Sequence, residues 1–326
     1  MGTNGGDAQQ PVIGIAGLGF VGRALAARAR EQGWSVMGCD PHAPAATLAS
    51  SIGVQVLPGV APVAAACDVL LVCVLDDPQL AAVIDAIVEA AAGAAAEVAA
   101  EALAGGVPAA LASRGPGLVV NAVTCSPAAA DRTVAQLRAC GVDCVEMPMS
   151  GSSAQIAQGQ ALGLVGAEAA VWARHRACLQ RIVPRLLHVG PPGAAARAKL
   201  ASNLVLGLNR SALAEGLALA TALGLDGEDF LQLLRESPAY SRAVDVAGPR
   251  MLARDFTPVS RLSQHRKDLR LILEAGEAAG LALPLAHAQA QLLERAVAAG
   301  LGELDNVAVI DALRPGFGAH APRSAP

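Results

Sequence analysis

No stretch of the sequence is both long enough and free enough of charge to cross a bilayer. The most apolar run, residues 60–75, is broken by Pro62 and Asp68, and the alanine-rich stretch beyond it carries Asp85, Glu89, Glu97 and Glu101. A spanning helix needs about 20 consecutive apolar residues, so no membrane partner is expected. A basic block is missing too. The 24 Lys and Arg residues are interspersed with 28 Asp and Glu, for a formal net charge of -4, which argues against nucleic acid as a partner. The opening MGTNGGDAQQ has neither the basic n-region nor the apolar h-region of a signal peptide, and residues 1–10 are expected to form a disordered leader. Metal-ligand spacing is absent among the seven cysteines, an odd number, which fall mostly inside apolar runs. Cys140 and Cys144 are four apart with no His or Cys pair nearby, so free buried thiols, no metal and a reducing cytoplasm are expected.

What is present suffices for two cores: 326 residues, 53% of them hydrophobic. A short β-type run at residues 12–16 ends in glycine. An amphipathic segment over 19–32 follows, then a second apolar run over 34–39, which reads as β-α-β. Further apolar runs at 69–75, 118–123, 142–147 and 162–165 alternate with alanine-rich, helix-compatible stretches, the pattern of a mostly parallel sheet. From about residue 194 the β-branched runs vanish and apolar residues recur at helical spacing. Val189-Gly190-Pro191-Pro192-Gly193 separates the two regimes, because Gly and Pro forbid a continuous strand or helix there. The expected organisation is an α/β domain over 11–189, an all-helical domain over 194–314, and a Pro- and Gly-rich disordered tail over 315–326. Residues 91–117, rich in Ala and Gly, suggest no chemistry.

Gly17-Leu18-Gly19-Phe20-Val21-Gly22 is a G-x-G-x-x-G that directly follows the first strand and opens a helix. In that context Gly17 permits the tight turn, Gly19 lets a pyrophosphate approach the backbone, and Gly22 lets helix and strand pack. The helix N-terminus then offers N–H donors to the phosphates. Asp40 ends the second strand about 20 residues on, where a carboxylate accepts from ribose hydroxyls and repels a 2′-phosphate. The expectation is a Rossmann domain that takes NAD in preference to NADP. His42, two residues further along, reads as a solvated loop histidine.

Four blocks of residues, in order, resemble the β-hydroxyacid dehydrogenase family, which includes 3-hydroxyisobutyrate and tartronate semialdehyde reductase-type enzymes and, more distantly, 6-phosphogluconate dehydrogenase. They are Gly17 to Gly22; Pro148-Met149-Ser150-Gly151 followed by Gly159 and Gly166; residues 190–203 with Lys199; and Lys267-Asp268-Leu269. The resemblance covers nearly the whole chain. It implies a nicotinamide-dependent dehydrogenase in which Ser150, Gly151 and Ser152 bind the substrate, Lys199 is the acid-base group, Asn203 accompanies it, and Lys267 lies against the cofactor or the substrate carboxylate. Leu75-Asp76 stands where the family has Leu-Pro, and Thr124 matches the threonine of a Ser-Thr element near the nicotinamide ribose, so both are expected at the cofactor. The chain departs from the family pattern at Val21, Val123, Glu146 and Ser152, which take the places of methionine, serine, aspartate and glycine.

The residues themselves support that assignment. Lys199 and Asn203 are four apart and so share one helix face. Removing hydride from a carbinol carbon requires the hydroxyl proton to leave as well, and a partly desolvated amine can take it. Ser150 and the backbone around Gly151 offer small donors to a carboxylate. The expected substrate is a small hydroxy acid of the 3-hydroxyisobutyrate, glycerate or threonate type. The sequences Asp255-Phe256-Thr257-Pro258 and Leu283-Pro284-Leu285, with residues 302–310, are most similar to the L-threonate dehydrogenase branch. Two other readings compete: a non-catalytic NAD-binding or redox-sensing protein, and an imine reductase-like enzyme, a class that typically lacks the lysine. Long apolar helices such as 200–223 predict a homodimer or homotetramer.

Overall fold

The computed structural model describes residues 10–103 and 115–313, with the side chains of 94–103 left aside. Most of the leader over 1–10, part of the Ala/Gly-rich stretch and the tail therefore lie outside the described residues. The chain packs as two compact units that divide after Ala198.

The N-terminal unit alternates strand and helix. Its elements are β1 (Ile13–Ala16), α1 (Phe20–Glu31), β2 (Val36–Cys39), α2 (Ala43–Ser50), β3 (Gln55–Val56), α3 (Val60–Ala66), β4 (Val69–Val72) and α4 (Asp77–Leu103). They continue with β5 (Leu118–Asn121), α5 (Pro127–Ala139), β6 (Asp143–Glu146), β7 (Met149–Ser150), α6 (Ser153–Ala157), β8 (Leu162–Gly166), α7 (Ala169–Ile182) and β9 (Arg185–Gly190). The strands form one sheet in the order β3-β2-β1-β4-β5-β6-β8-β7, with β9 on the other side of β8. Pairing from β3 through β6 is parallel; β8 runs antiparallel to β6 and β7 and parallel to β9. The Rossmann sheet is thus mostly parallel, as its apolar runs predict.

The central strands β1, β4 and β5 are buried at every position. Such a strand needs a continuous apolar run because helices cover both of its faces, and the two resulting cores reflect that. One gathers Ile13, Ile15, Leu25, Leu71 and Val120, while the other gathers Leu70, Val72, Leu80, Ile84 and Val119. The strand order reverses direction at β1, from which the chain winds outward to β2 and to β4. In such sheets the crevice at the C-terminal strand ends takes the ligand.

The long helix α8 (Ala194–Ala222) opens in the first unit and runs on into the second. It is followed by α9 (Gly227–Arg235), α10 (Arg242–Val246), α11 (Gly248–Ala253), α12 (Leu262–Ala278), α13 (Pro284–Ala296) and a 3-10 segment over Asn306–Leu313. Leu213, Leu217, Leu231, Met251, Leu262, Leu269, Leu293 and Val309 form the core of this all-helical unit. Among the described residues no helix is long and apolar enough to cross a membrane.

Candidate functional site

In the N-terminal unit the glycine turn shows why those positions carry no side chain. Gly17, directly after β1, has a φ of +96°, and a Cβ on it would lie 2.6 Å from the carbonyl oxygen of Cys73. A Cβ on Gly22 would fall 1.9 Å from the Gly17 oxygen, so only glycine lets the first turn of α1 sit on the loop. Gly19 is different: nothing lies within 4 Å of where its Cβ would be. That open side, with no side chain capping α1, leaves room and N–H donors for a pyrophosphate. Among the other residues of the loop Leu18 is fully buried, and Phe20 and Val21 are half-buried.

Asp40 stands at the end of β2. Its Oδ2 accepts the Leu18 N–H at 2.7 Å and its Oδ1 the His42 N–H at 2.8 Å. The carboxylate therefore fixes the glycine loop as well as presenting its remaining lone pairs outward. In the next loop the Leu75 N–H donates to Gln79 Oε1 at 2.9 Å, and Asp76 Oδ1 accepts the Gln79 N–H at 3.0 Å, which starts α4. Thr124 follows β5 in a segment whose shape depends on buried Asn121, which accepts the Val123 N–H at 3.0 Å. The backbone geometry, the open side of Gly19 and the placed carboxylate all fit a dinucleotide.

Ser150 ends β7. Gly151 has a φ of +147°, and a Cβ there would meet Ala161 at 2.9 Å. Ser152 caps α6: its Oγ accepts the Gln155 N–H at 3.3 Å, while its own N–H donates to Gln155 Oε1 at 2.9 Å. The serine that stands in place of a glycine thus completes a capping box. Its backbone N–H is spent there, and its hydroxyl keeps a proton to donate.

In the helical unit Lys199 and Asn203 are buried, 6% and 7% exposed, on one face of α8. The Asn203 amide donates to Asp268 Oδ2 at 3.1 Å, and Asp268 Oδ1 pairs with Lys267 Nζ at 2.9 Å. Burial pulls the Lys199 ammonium down to a pKa of about 8, with Asp268 raising it and Lys267 lowering it. An amine with that value is poised between proton donor and acceptor near neutral pH. Of the 24 Lys and Arg residues in the chain, only Lys199 and Lys267 are lysines. That scarcity is a signal the motif reading passed over, since arginine cannot give up its proton and lysine can.

Two more residues have roles that the sequence did not disclose: Glu146, noted there only as a departure from the family pattern, and Asp305. Glu146, 1% exposed at the end of β6, accepts the N–H of Gly193 through Oε1 and that of Ala196 through Oε2, the latter at 3.0 Å. Burial pushes its carboxyl above the usual range, and those two donors pull it part of the way back. It caps the helix that carries Lys199 one turn later. Asp305, 1% exposed, accepts the N–H groups of Val259, Ser260 and Val307 and pairs with Arg250 at 3.1 Å, tying down the loop that leads into α12. Among the described residues no group of three or more His, Cys, Asp or Glu is placed to hold a metal.

Comparison with known proteins agrees with this geometry. The model for the NAD-binding domain of 6-phosphogluconate dehydrogenase matches residues 12–190, and the model for the NAD-binding of NADP-dependent 3-hydroxyisobutyrate dehydrogenase matches 193–313. The chain is 27% identical over 301 residues to 2-hydroxy-3-oxopropionate reductase of Escherichia coli, covering 92% of this chain and 96% of that one. It is also 27% identical over 300 residues to L-threonate dehydrogenase of Cupriavidus necator, with 91% and 94% covered. A solved structure of Mycobacterium tuberculosis 3-hydroxyisobutyrate dehydrogenase with L-serine superposes with a TM-score of 0.77 at 26% identity, over 94% of this chain and 100% of that one. With a fingerprint turn that only glycine allows and family models that together span both units, the chain belongs to the β-hydroxyacid dehydrogenase family and is an NAD(P)-dependent oxidoreductase.

Proposed function

We propose that the protein oxidises a small hydroxy acid with NAD, or reduces the matching semialdehyde, with Lys199 as the acid-base group. The observation that carries this reading is a buried lysine with its pKa drawn down to about 8, one helical turn from a buried amide that is itself fixed by a carboxylate. A solvated helix lysine would not be desolvated in this way, and a sensor without turnover has no need of such an amine.

The roles follow from the chemistry of each group. When bound, NAD supplies the acceptor for the hydride of the carbinol carbon. In oxidation the neutral Lys199 takes the hydroxyl proton at Nζ; in reduction its ammonium returns one to the carbonyl oxygen. Asn203 Oδ1 is free to orient that hydroxyl because its Nδ2 is directed at Asp268. Ser150, Gly151 and Ser152 hold the substrate carboxylate, with the serine hydroxyls as donors. Gly17 to Gly22 cradle the pyrophosphate, Asp40 receives the adenosine ribose hydroxyls, and Leu75, Asp76, Thr124 and Lys267 complete the cofactor contacts. Asp40 favours NAD over NADP because a 2′-phosphate beside a carboxylate is repelled. A four-carbon sugar acid is the substrate favoured by the likeness to L-threonate dehydrogenase.

We further propose a homodimer or homotetramer. On α8, Val205, Ala212 and Leu219 recur on one face and are exposed, Val205 by 59% and Leu219 by 61%, and Leu223 just past the helix end is exposed by 71%. An apolar stripe at heptad spacing suits a second copy of the same helix.

A screen of C3 to C5 hydroxy acids for NADH formation, with Lys199→Ala alongside, tests the reading. Turnover of at least one acid by the native chain and its loss in the variant is the expected result. Binding of NAD with no acid oxidised would favour the sensor.

A further inference from the structure

The buried polar groups of the helical unit continue beyond Asp268. Along α8, Lys199, Asn203, Gly207 and Ser211 follow at intervals of four and so occupy one face. α12 lies along that face in rungs. Asp268 meets Asn203 at 3.1 Å, and one turn back His265 meets Gly207, where a Cβ would lie 2.6 Å from the imidazole Cε1 and 2.7 Å from Nε2. α13 closes the third side: Gln289 Nε2 donates to Ser211 Oγ at 2.9 Å and lies 3.2 Å from His265 Nε2. His265 and Gln289 are 8% and 4% exposed.

The ring is neutral. Burial foremost, then the positive charges of Arg210 and Lys199, push its pKa down to about 3. With the amide donating to Nε2, the ring proton sits on Nδ1. An aliphatic side chain would fill such a gap without desolvating a polar ring, so volume alone does not account for a histidine here. What the ring adds is direction: Gln289 holds it at one orientation, and Gly207 lets it seat directly on the α8 backbone. Together they set the separation of the two helices at the rung next to Asp268.

We propose that His265, seated on Gly207 and tethered by Gln289, is a positioning residue that fixes how far the Asp268 carboxylate stands from Lys199 and Asn203. This rests on the reading of Lys199 as the acid-base group. The charged groups that act on Lys199 from α12 are Asp268, which raises its pKa, and Lys267, which lowers it by less. His265 brings no charge, and Arg210 lies further along α8 beyond Gly207. Moving α12 outward therefore weakens the hold of Asp268 on the Lys199 ammonium while admitting water to it, so the distance shows in how strongly Asp268 is felt at Lys199 rather than in the Lys199 midpoint alone.

Because the chain has only two lysines, their side chains can be titrated directly by NMR in the full-length protein labelled with isotopic lysine, Lys199→Ala assigning the signals. Gly207→Ala pushes the ring off the helix. The fall in the Lys199 midpoint caused by Asp268→Asn is expected to be smaller by about half or more in the Gly207→Ala background than in the native one, because the carboxylate already stands further off. An Asp268→Asn shift of the same size in both backgrounds overturns the proposal, whatever happens to melting temperature. Should Gly207→Ala fail to fold, Gln289→Leu, which cuts the tether without adding bulk beside α8, is judged by the same criterion. Turnover of Lys199→Ala separates the two readings. Retained turnover would remove Lys199 from the chemistry, while the Asp268→Asn shift in the Gly207→Ala background still decides the role of His265.

Discussion

The Asn203 amide donates to the Asp268 carboxylate at 3.1 Å, which fixes the carbonyl end of that amide one helical turn from Lys199. One carboxylate thus orients an amide and, through its charge, keeps a buried ammonium from losing its proton too readily. The proposed mechanism depends on that balance.

Lys199→Ala should retain NAD binding and lose about 10² to 10⁴-fold in turnover, on the order of 3 to 5 kcal/mol in barrier. In the native enzyme, kcat/KM for oxidation should rise with pH through a midpoint near the lysine's value of about 8, since the neutral amine is the proton acceptor. For reduction it should fall through the same midpoint. Steady-state pH profiles in both directions check this. A profile without opposite slopes would assign the proton to another group.

The same lysine burdens the fold. Its pKa is about 8 when folded against about 10.4 in an unfolded chain. Between those values the unfolded chain binds more protons, so stability rises with pH through that window. Below it the cost of burying the ammonium is present in full, on the order of 3 kcal/mol. Lys199→Met should therefore be inactive yet more stable than the native chain at pH 7, by about 1 to 3 kcal/mol, with the difference narrowing toward pH 10. Urea denaturation at the two pH values measures it.

Asp40→Ser should lower the preference for NAD over NADP by about tenfold or more, since the repulsion of a 2′-phosphate is removed. Because Asp40 also holds the Leu18 N–H at 2.7 Å, affinity for NAD should fall at the same time rather than stay level. Titration of both cofactors by fluorescence reads the two effects separately.

Leu219→Glu places a charge in the exposed stripe of α8, where Leu219 is 61% exposed, so it should leave the monomer fold intact. Its expected effect is a lower molecular mass in solution by light scattering, with an unchanged far-ultraviolet spectrum. A native chain that is already monomeric would remove the proposed assembly.

The dinucleotide turn was readable from the sequence because its constraints are local: a positive φ at Gly17 and a 1.9 Å approach at Gly22 can be met only by glycine. The central strands were readable because burial on both faces demands apolar runs. Short or edge strands carried no such mark. β3 and β7 are two residues each, and β9 has no fully buried position, only half-buried and exposed ones in no regular order. In the helical unit Lys199 and Asn203 could be placed on one face by spacing alone. The stations of His265, Gln289 and Asp305 could not, since each reads as an ordinary surface residue until a neighbouring helix or loop covers it. Ser152 shows the opposite case, a departure from the family pattern whose use as a helix cap appears only once Gln155 is seen reaching back.

The cap that Glu146 places on α8 bears on the order in which the molecule assembles. Its partners, Gly193 and Ala196, lie 47 and 50 residues away along the chain. Two N–H groups at the start of the lysine-bearing helix are therefore satisfied only after β6 has joined the sheet. Until then those two groups are left to water. A cap drawn from so distant a strand makes the start of α8 a late-closing part of the chain, and a variant such as Glu146→Ala loosens that start without touching any residue of the helical core.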